Sequence, residues 1–218
     1  MLNYAANIRK LAIMLRFIPN ILTFGRFVLT VIFLVMLLMP AVQNDTDLLL
    51  AAFILFVIAG LTDIIDGKVA RKLNVTSKFG RMLDPIADKV LVCGAFICFA
   101  IIGEPKLFNL NAATLAVIHW VVAAVLILRE VYVTVLRHLA EARGINFAAT
   151  ASGKIKMFIQ SFAIGTVVIK MAYVKTAAWG NWFTTIVFAA MLIATVISGI
   201  KATKRTSWKE LKKINSEL

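Results

Sequence analysis

Cysteine and histidine are scarce in this chain, which contains two residues of each type among 218. Cys93 and Cys98 lie five residues apart in one apolar stretch, without the paired spacing of a thiolate metal site. Neither His119 nor His138 has a second histidine at ligand spacing. We therefore assign neither residue type to a metal centre and interpret the cysteines as small packing residues.

Charged residues are also few, at 16% of the chain, and no internal repeat or low-complexity segment is present. Hydrophobic residues make up 61%, whereas about 45–50% is typical of a soluble domain. We therefore predict an all-α integral membrane protein. A helix needs roughly 20 apolar residues to cross a bilayer. The sequence supplies six such stretches, at about residues 21–40, 48–70, 82–102, 112–136, 154–174 and 182–200.

Acidic residues are the scarcest charged type, with 11 against 24 basic residues and a formal net charge of +13. A surplus of this size can indicate nucleic-acid binding, but here the basic residues follow alternate sides of the predicted membrane. They gather before the first span, between spans two and three, between spans four and five, and after span six. By the positive-inside rule both termini are cytoplasmic, and we expect no nucleic-acid partner.

The two ends of the chain flank a predicted six-helix domain at residues 18–203. Residues 1–17 mix apolar positions with Arg9, Lys10 and Arg16, which is typical of a short amphipathic helix lying on the inner leaflet. A spanning apolar run follows with no small-residue cleavage site before Asp45, so we expect an anchor rather than a cleaved signal. Residues 204–218 form a basic cytoplasmic tail, either solvated or lying on anionic lipid.

Four aspartates lie at the cytoplasmic ends of spans two and three, in the pattern Asp63-x2-Asp66-Gly67-x2-Ala70-Arg71-x8-Gly80-x3-Asp84-x3-Asp88. On helices, the first two aspartates share one face and the last two share another. Four carboxylates at close range repel one another unless protons or a cation relieve the charge. Oxygen-only ligands of this kind favour Mg2+ or Mn2+, and four carboxylates are enough for two ions.

A purely structural role for these aspartates is the alternative, with Arg71, Arg81 and Lys89 as ion-pair partners that fasten the helices. Each ionisable group inside a membrane helix costs about 2.5–3.5 kcal/mol on insertion scales. Four such groups are an expensive way to fasten two helices, so the metal-site interpretation is favoured.

The aspartate pattern resembles, position for position, the signature of the CDP-alcohol phosphotransferase family of integral membrane enzymes. The resemblance implies that Asp63, Asp66 and Asp84 are the principal metal ligands and that Asp88 joins them and acts as the base. It also implies a homodimer and binding of the CDP group at the motif. The CDP-binding positions would be Asp63, Asp66, Gly67, Ala70, Arg71, Gly80 and Asp84.

The acceptor alcohol has to be inferred from other parts of the sequence. Arg129-Glu130 and Arg137 near the end of span four, with Lys154-x-Lys156 at the start of span five, resemble the phosphatidylglycerophosphate synthase branch. So does the segment from Ile18 to Arg26, which contains Thr23. Met157 departs from that branch, which commonly has threonine there. The acceptor-phosphate candidates are Arg129, Arg137, Lys154, Lys156, Thr23 and Arg26.

The favoured reaction transfers the phosphatidyl group of CDP-diacylglycerol to glycerol 3-phosphate and releases CMP. The enzyme would be surrounded by membrane lipids. Within the family, a cardiolipin synthase or a phosphatidylinositol phosphate synthase would use another acceptor. Outside it, a divalent-cation transporter would explain the aspartates but not the fixed glycines and arginine. A non-catalytic scaffold predicts that Asp88→Asn leaves function unchanged. Each acceptor candidate also has a purely structural alternative. Lys154 and Lys156 can simply mark the cytoplasmic side, and Arg129 can form a salt bridge with Glu130 or a neighbouring helix. Thr23 can hydrogen-bond to its own helix, and Arg26 can extend to the interface.

Overall fold

The structure, a computed structural model, describes the backbone of residues 23–73, 78–108, 110–143 and 151–217. The side chains of residues 63–85, 151–152 and 207–217 lie outside the described part. Every regular element within these ranges is a helix, which confirms the all-α prediction. The helices are α1 (Thr23–Leu38), α2 (Pro40–Asn44), α3 (Thr46–Leu73), α4 (Lys78–Ile102), α5 (Ala112–Ala142), α6 (Ala151–Tyr173) and α7 (Ala178–Glu217).

Short polar residues fix where α3 and α5 begin. The Asp45 carboxylate accepts hydrogen bonds from the backbone N–H groups of Asp47, at 2.8 Å, and Leu48, at 3.2 Å. Asn111 accepts a 2.7 Å hydrogen bond from the Thr114 N–H at the start of α5. Because the first N–H groups of a helix have no partner within the helix, these side chains stabilise both starts.

Three helices in the described part are long and apolar enough to cross a bilayer: Ala112–Ala142, Gly153–Tyr173 and Ala178–Thr206. Two shorter apolar segments, Thr23–Leu38 and Thr46–Thr62, add to them. These helices correspond to the predicted spans four, five and six, and the chain is an integral membrane protein. A total of six spans stays a prediction. The predicted interfacial segment at 1–17 lies outside the described residues, whereas α7 continues through the basic tail to Glu217.

The described residues up to 95 form one compact unit, in which α1 packs against both α3 and α4. The rings of Phe33 in α1 and Phe56 in α3 lie 5.3 Å apart between centroids. Gly94 in α4 faces Leu34 of α1 so closely that an added Cβ would lie 2.7 Å from a Leu34 methyl. Helix α1 is therefore an integral part of the unit that carries the aspartate motif.

Residues 96–218 form the second unit, in which α5 and α6 each pack against α7. Leu126, Ile164 and Met191 are fully buried, one from each helix. The segment between α4 and α5 is attached to this unit by two backbone carbonyls. Pro105 O accepts from His119 Nε2 at 3.2 Å, and Lys106 O accepts from Lys170 Nζ at 2.9 Å.

Candidate active site

The backbone of the aspartate motif is helical as predicted. Asp63 and Asp66 are three positions apart in α3, and Asp84 and Asp88 are four positions apart in α4. Each pair therefore shares one face of its helix. Of the motif's side chains, only that of Asp88 is described. The side-chain geometry predicted for Asp63, Asp66, Gly67, Ala70, Arg71, Gly80 and Asp84 lies outside the described residues, so the metal and CDP assignments stay predictions.

Asp88 is paired with an arginine from the first helix. Arg26 Nη1 lies 3.3 Å from Asp88 Oδ1, and the Arg26 side chain is 2% exposed while that of Asp88 is 30% exposed. A buried guanidinium is stable only when anionic or hydrogen-bonding groups compensate its charge. The pair thus restrains Asp88 while part of the Asp88 side chain stays accessible. Thr23, one turn before Arg26, is also buried in this unit.

A second charged group, which we call the α5–α7 cluster, consists of Arg129, Glu130, Lys156 and Ser198. Arg129 Nη1 donates to Glu130 Oε1 at 2.9 Å, and Lys156 Nζ donates to the same oxygen. Arg129 Nη2 donates to Ser198 Oγ at 2.5 Å. The three charged side chains are 12%, 13% and 5% exposed, in the order Arg129, Glu130, Lys156. Two cations therefore flank one carboxylate oxygen, and the cluster has one net positive charge.

One donor of the cluster has no acceptor among the described residues. Arg129 Nε is buried and makes no hydrogen bond within this part of the chain. Buried donors are nearly always satisfied in folded proteins, so an exception calls for an explanation. An anionic ligand beside Arg129 would supply the acceptor.

Polar contacts continue from the cluster along the same helices. Gln160, one turn after Lys156 in α6, lies 3.5 Å from Thr195 of α7 through Nε2 and Oγ1. On α5, Tyr132 Oη lies 2.9 Å from Thr203 Oγ1 of α7. The interface of α7 with α5 and α6 thus contains polar contacts beside an apolar cluster of Val133, Ala140 and Ala202.

The remaining acceptor candidates are less enclosed. Lys154, in the first turn of α6, is exposed, and Arg137, eight residues after Arg129 in α5, is exposed as well. The structure therefore joins Arg129 to Lys156 through Glu130 in one unit and Arg26 to Asp88 in the other. It does not place Lys154 or Arg137 in the α5–α7 cluster.

Sequence reasoning identified Glu130 as an alternative ion-pair partner of Arg129, and it missed Ser198, Gln160 and Thr195. For the two α7 residues, Thr195 and Ser198, their spacing in the sequence was a signal. Met191, Thr195, Ser198 and Ala202 recur every three or four positions along α7 and are all buried. Polar residues on the buried stripe of a membrane helix need partners on a neighbouring helix.

The chain matches the family described as CDP-alcohol phosphatidyltransferase over residues 16–197, most of its length. It belongs to the CDP-alcohol phosphatidyltransferase family. The resemblance inferred from the aspartate motif is therefore confirmed.

Relatives of this phosphatidyltransferase come from distant bacteria. It is 33% identical over 206 residues to the CDP-diacylglycerol–glycerol-3-phosphate 3-phosphatidyltransferase of Bacillus subtilis, covering 91% of this chain and 98% of that protein. It is 32% identical over 183 residues to the probable phosphatidylglycerophosphate synthase of Mycobacterium tuberculosis, covering 84% of this chain and 78% of the relative. The corresponding Escherichia coli transferase is 32% identical over 149 residues, covering 67% and 74% of the two chains.

Proposed function

We propose that this membrane phosphatidyltransferase moves the phosphatidyl group of CDP-diacylglycerol to glycerol 3-phosphate, giving phosphatidylglycerophosphate and CMP. The names of relatives that match most of the chain support this reaction. The choice of acceptor rests on the α5–α7 cluster. Buried Lys156 and largely enclosed Arg129, which share one carboxylate, suit an acceptor with its own phosphate group and disfavour an uncharged alcohol or serine.

The motif aspartates fit a divalent cation by the chemistry of their donor atoms, since all four offer hard carboxylate oxygens. Asp63, Asp66, Asp84 and Asp88 would hold Mg2+ or Mn2+, and four carboxylates suffice for two ions. When bound, the cation would neutralise pyrophosphate charge and make the phosphorus beside CMP more electrophilic. Gly67, Ala70 and Gly80 would leave room for the nucleotide, and Arg71 would donate to its phosphate oxygens.

Asp88 would accept the proton of the attacking hydroxyl. The hydroxyl oxygen forms a bond to the phosphorus of the phosphatidyl group, and the bond from that phosphorus to the CMP oxygen breaks. Arg26 donates to one oxygen of Asp88 and fixes the carboxyl group, while the 30% exposure of Asp88 leaves room for a hydroxyl to approach.

Arg129 and Lys156 would bind the phosphate of glycerol 3-phosphate, and the buried Arg129 Nε supports this assignment because it needs an acceptor. Exposed Lys154 and Arg137 would attract the phosphate toward the site. Thr23 and Arg26 stay candidates for contacts with the acceptor.

The membrane arrangement belongs to the same proposal. Six spans within residues 18–203 would carry the enzyme, with 1–17 on the inner leaflet, 204–218 as a basic cytoplasmic extension, and the active site and both termini in the cytoplasm. We further propose a homodimer in the membrane.

The deciding experiment measures CMP release by the purified protein with CDP-diacylglycerol and Mg2+. Glycerol 3-phosphate, inositol phosphate, phosphatidylglycerol and serine are compared as acceptors. We expect release with glycerol 3-phosphate and its loss in Asp88→Asn. Preference for phosphatidylglycerol or inositol phosphate would instead identify a cardiolipin synthase or a phosphatidylinositol phosphate synthase. No metal-dependent release with any acceptor would contradict the enzyme assignment.

A further inference from the structure

Glu130 is the one anion in the α5–α7 cluster, and the proposed reaction gives it no task. Its Oε1 atom accepts from Arg129 on its own helix and from Lys156 on α6. The Glu130 carboxylate therefore connects the two cations. Arg129 is further restrained on its other side by Ser198 of α7.

Helix geometry explains why a carboxylate is needed at this position. Successive residues of a helix point about 100° apart, so Arg129 and Glu130 lead away from α5 in different directions. Arg129 reaches Ser198 on α7, while Glu130 reaches Lys156 on α6. Glu130 therefore connects α5 and α6, which would each contribute one cation, Arg129 or Lys156, to a phosphate site.

The repulsion between the positive charges of Arg129 and Lys156 is a second reason for a carboxylate at this position. Lys156 is 5% exposed and Arg129 12% exposed, so water screens their mutual repulsion poorly. Without the carboxylate, two like charges would face each other near the membrane interior, and their long side chains would separate. With it, both cations stay together before any phosphate arrives, and one net positive charge remains to attract the ligand.

We propose that Glu130 is a positioning residue for the acceptor phosphate: it holds Arg129 and Lys156 in one orientation and does not itself bind the ligand. This inference rests on the proposed function. The ligand class is a phosphomonoester, which both Arg129 and Lys156 can contact with charge-assisted hydrogen bonds. Preorganised cations bind such a group more tightly because less side-chain freedom is lost on binding.

The test uses steady-state kinetics of the full chain with Glu130→Ala, Glu130→Gln and, as matched control, Glu141→Ala. Glu141 is an exposed glutamate on the same helix. We expect Glu130→Ala to raise the KM for glycerol 3-phosphate about tenfold or more, since hydrogen bonds to charged groups are lost. The KM for CDP-diacylglycerol should stay within about twofold, because a positioning role concerns the acceptor alone. Glu130→Gln should fall between wild type and Glu130→Ala, because its amide oxygen still accepts hydrogen bonds.

Several outcomes would overturn the inference. An unchanged KM for glycerol 3-phosphate in a folded variant would do so, as would equal increases in both KM values, which indicate a general structural defect. A lower KM would mean that Glu130 mainly repels the phosphate. If Glu130→Ala does not fold, the nearly isosteric Glu130→Gln decides by the same KM comparison. Wild-type protein that releases no CMP with glycerol 3-phosphate would contradict the proposed function itself. Normal wild-type turnover together with an unchanged KM for glycerol 3-phosphate in the Glu130 variants would contradict only the role of Glu130.

Discussion

Arg26 of α1 and Asp88 of α4 form an ion pair in which the Arg26 side chain is almost completely buried and the Asp88 side chain is partly accessible. The two residues are far apart in sequence, and the pairing gives the first helix a direct influence on the last aspartate of the motif. Arg26 is therefore connected to the proposed base, in addition to being a candidate for acceptor binding.

Replacing Arg26 by Gln should slow turnover at saturating concentrations of both substrates. The variant loses a charge-assisted contact worth about 1.5–3 kcal/mol, so we expect kcat to fall roughly tenfold to a hundredfold. Arg26→Lys should recover part of this loss because the positive charge is retained. The measurement is CMP release with both substrates saturating.

Arg143→Gln is the matched control for Arg26, since Arg143 is an exposed arginine at the end of α5. A normal kcat with a raised KM for glycerol 3-phosphate alone would show instead that Arg26 binds the acceptor. Unchanged values of both constants in a folded Arg26→Gln protein would contradict either role.

The metal proposal predicts that a chelator abolishes CMP release and that added Mg2+ or Mn2+ restores it. Asp84→Asn removes one of four carboxylate charges, so the variant should need a higher metal concentration for half-maximal activity, by about tenfold or more. The measurement is CMP release across a metal titration. Asp47→Asn, an exposed aspartate in the first turn of α3, is the control and should titrate like wild type. Full activity in excess chelator would contradict metal dependence.

Much of this fold was predictable because its signals are local. Apolar runs gave the positions of α5, α6 and most of α7, and the spacing of the aspartates gave their placement on two helices. The ends of helices were less predictable. Helix α7 continues to Glu217, and no glycine or proline follows Gly199 to end it. The change from apolar to basic residues after Ile200 is therefore not a helix end.

Long-range pairings were the part that sequence could not provide. The alternative ion-pair partners of the aspartates, Arg71, Arg81 and Lys89, are nearby in sequence, and the structure adds the distant Arg26 as a partner of Asp88. The side chains of Arg71 and Arg81 lie outside the described part. Likewise, Arg129 was expected either to pair with Glu130 or to bind phosphate. The structure shows the Glu130 pair and adds Lys156 and Ser198 from two other helices. Helix packing determines such partners, and a single sequence does not reveal that packing.

Lys156 is buried and Lys154 is exposed, although both lie near the start of α6. Their contributions to binding of the acceptor phosphate should therefore differ. Lys156→Gln should raise the KM for glycerol 3-phosphate about tenfold to a hundredfold, because a fixed, poorly hydrated cation binds phosphate strongly. Lys154→Gln should raise it only a few-fold, and the effect should fade at high salt because exposed charges are screened. Initial rates at low and high ionic strength provide the measurement. Equal effects of the two substitutions would mean that burial does not distinguish them.

The proposed topology predicts which lysines can be reached from each side of the membrane. Lys175, in the connection between α6 and α7, and Lys204, within the basic part of α7, are both exposed. In a variant with Cys93 and Cys98 replaced by alanine, Lys175→Cys should react with a membrane-impermeant thiol reagent in intact cells. Lys204→Cys should react only after the membrane is opened, because positive charge is retained on the cytoplasmic side. Reaction of both cysteines in intact cells would contradict a membrane span between them, and the reverse pattern would place the C-terminal end of α7 outside the cytoplasm. The expected pattern places the α5–α7 cluster toward the compartment that supplies a soluble phosphorylated acceptor.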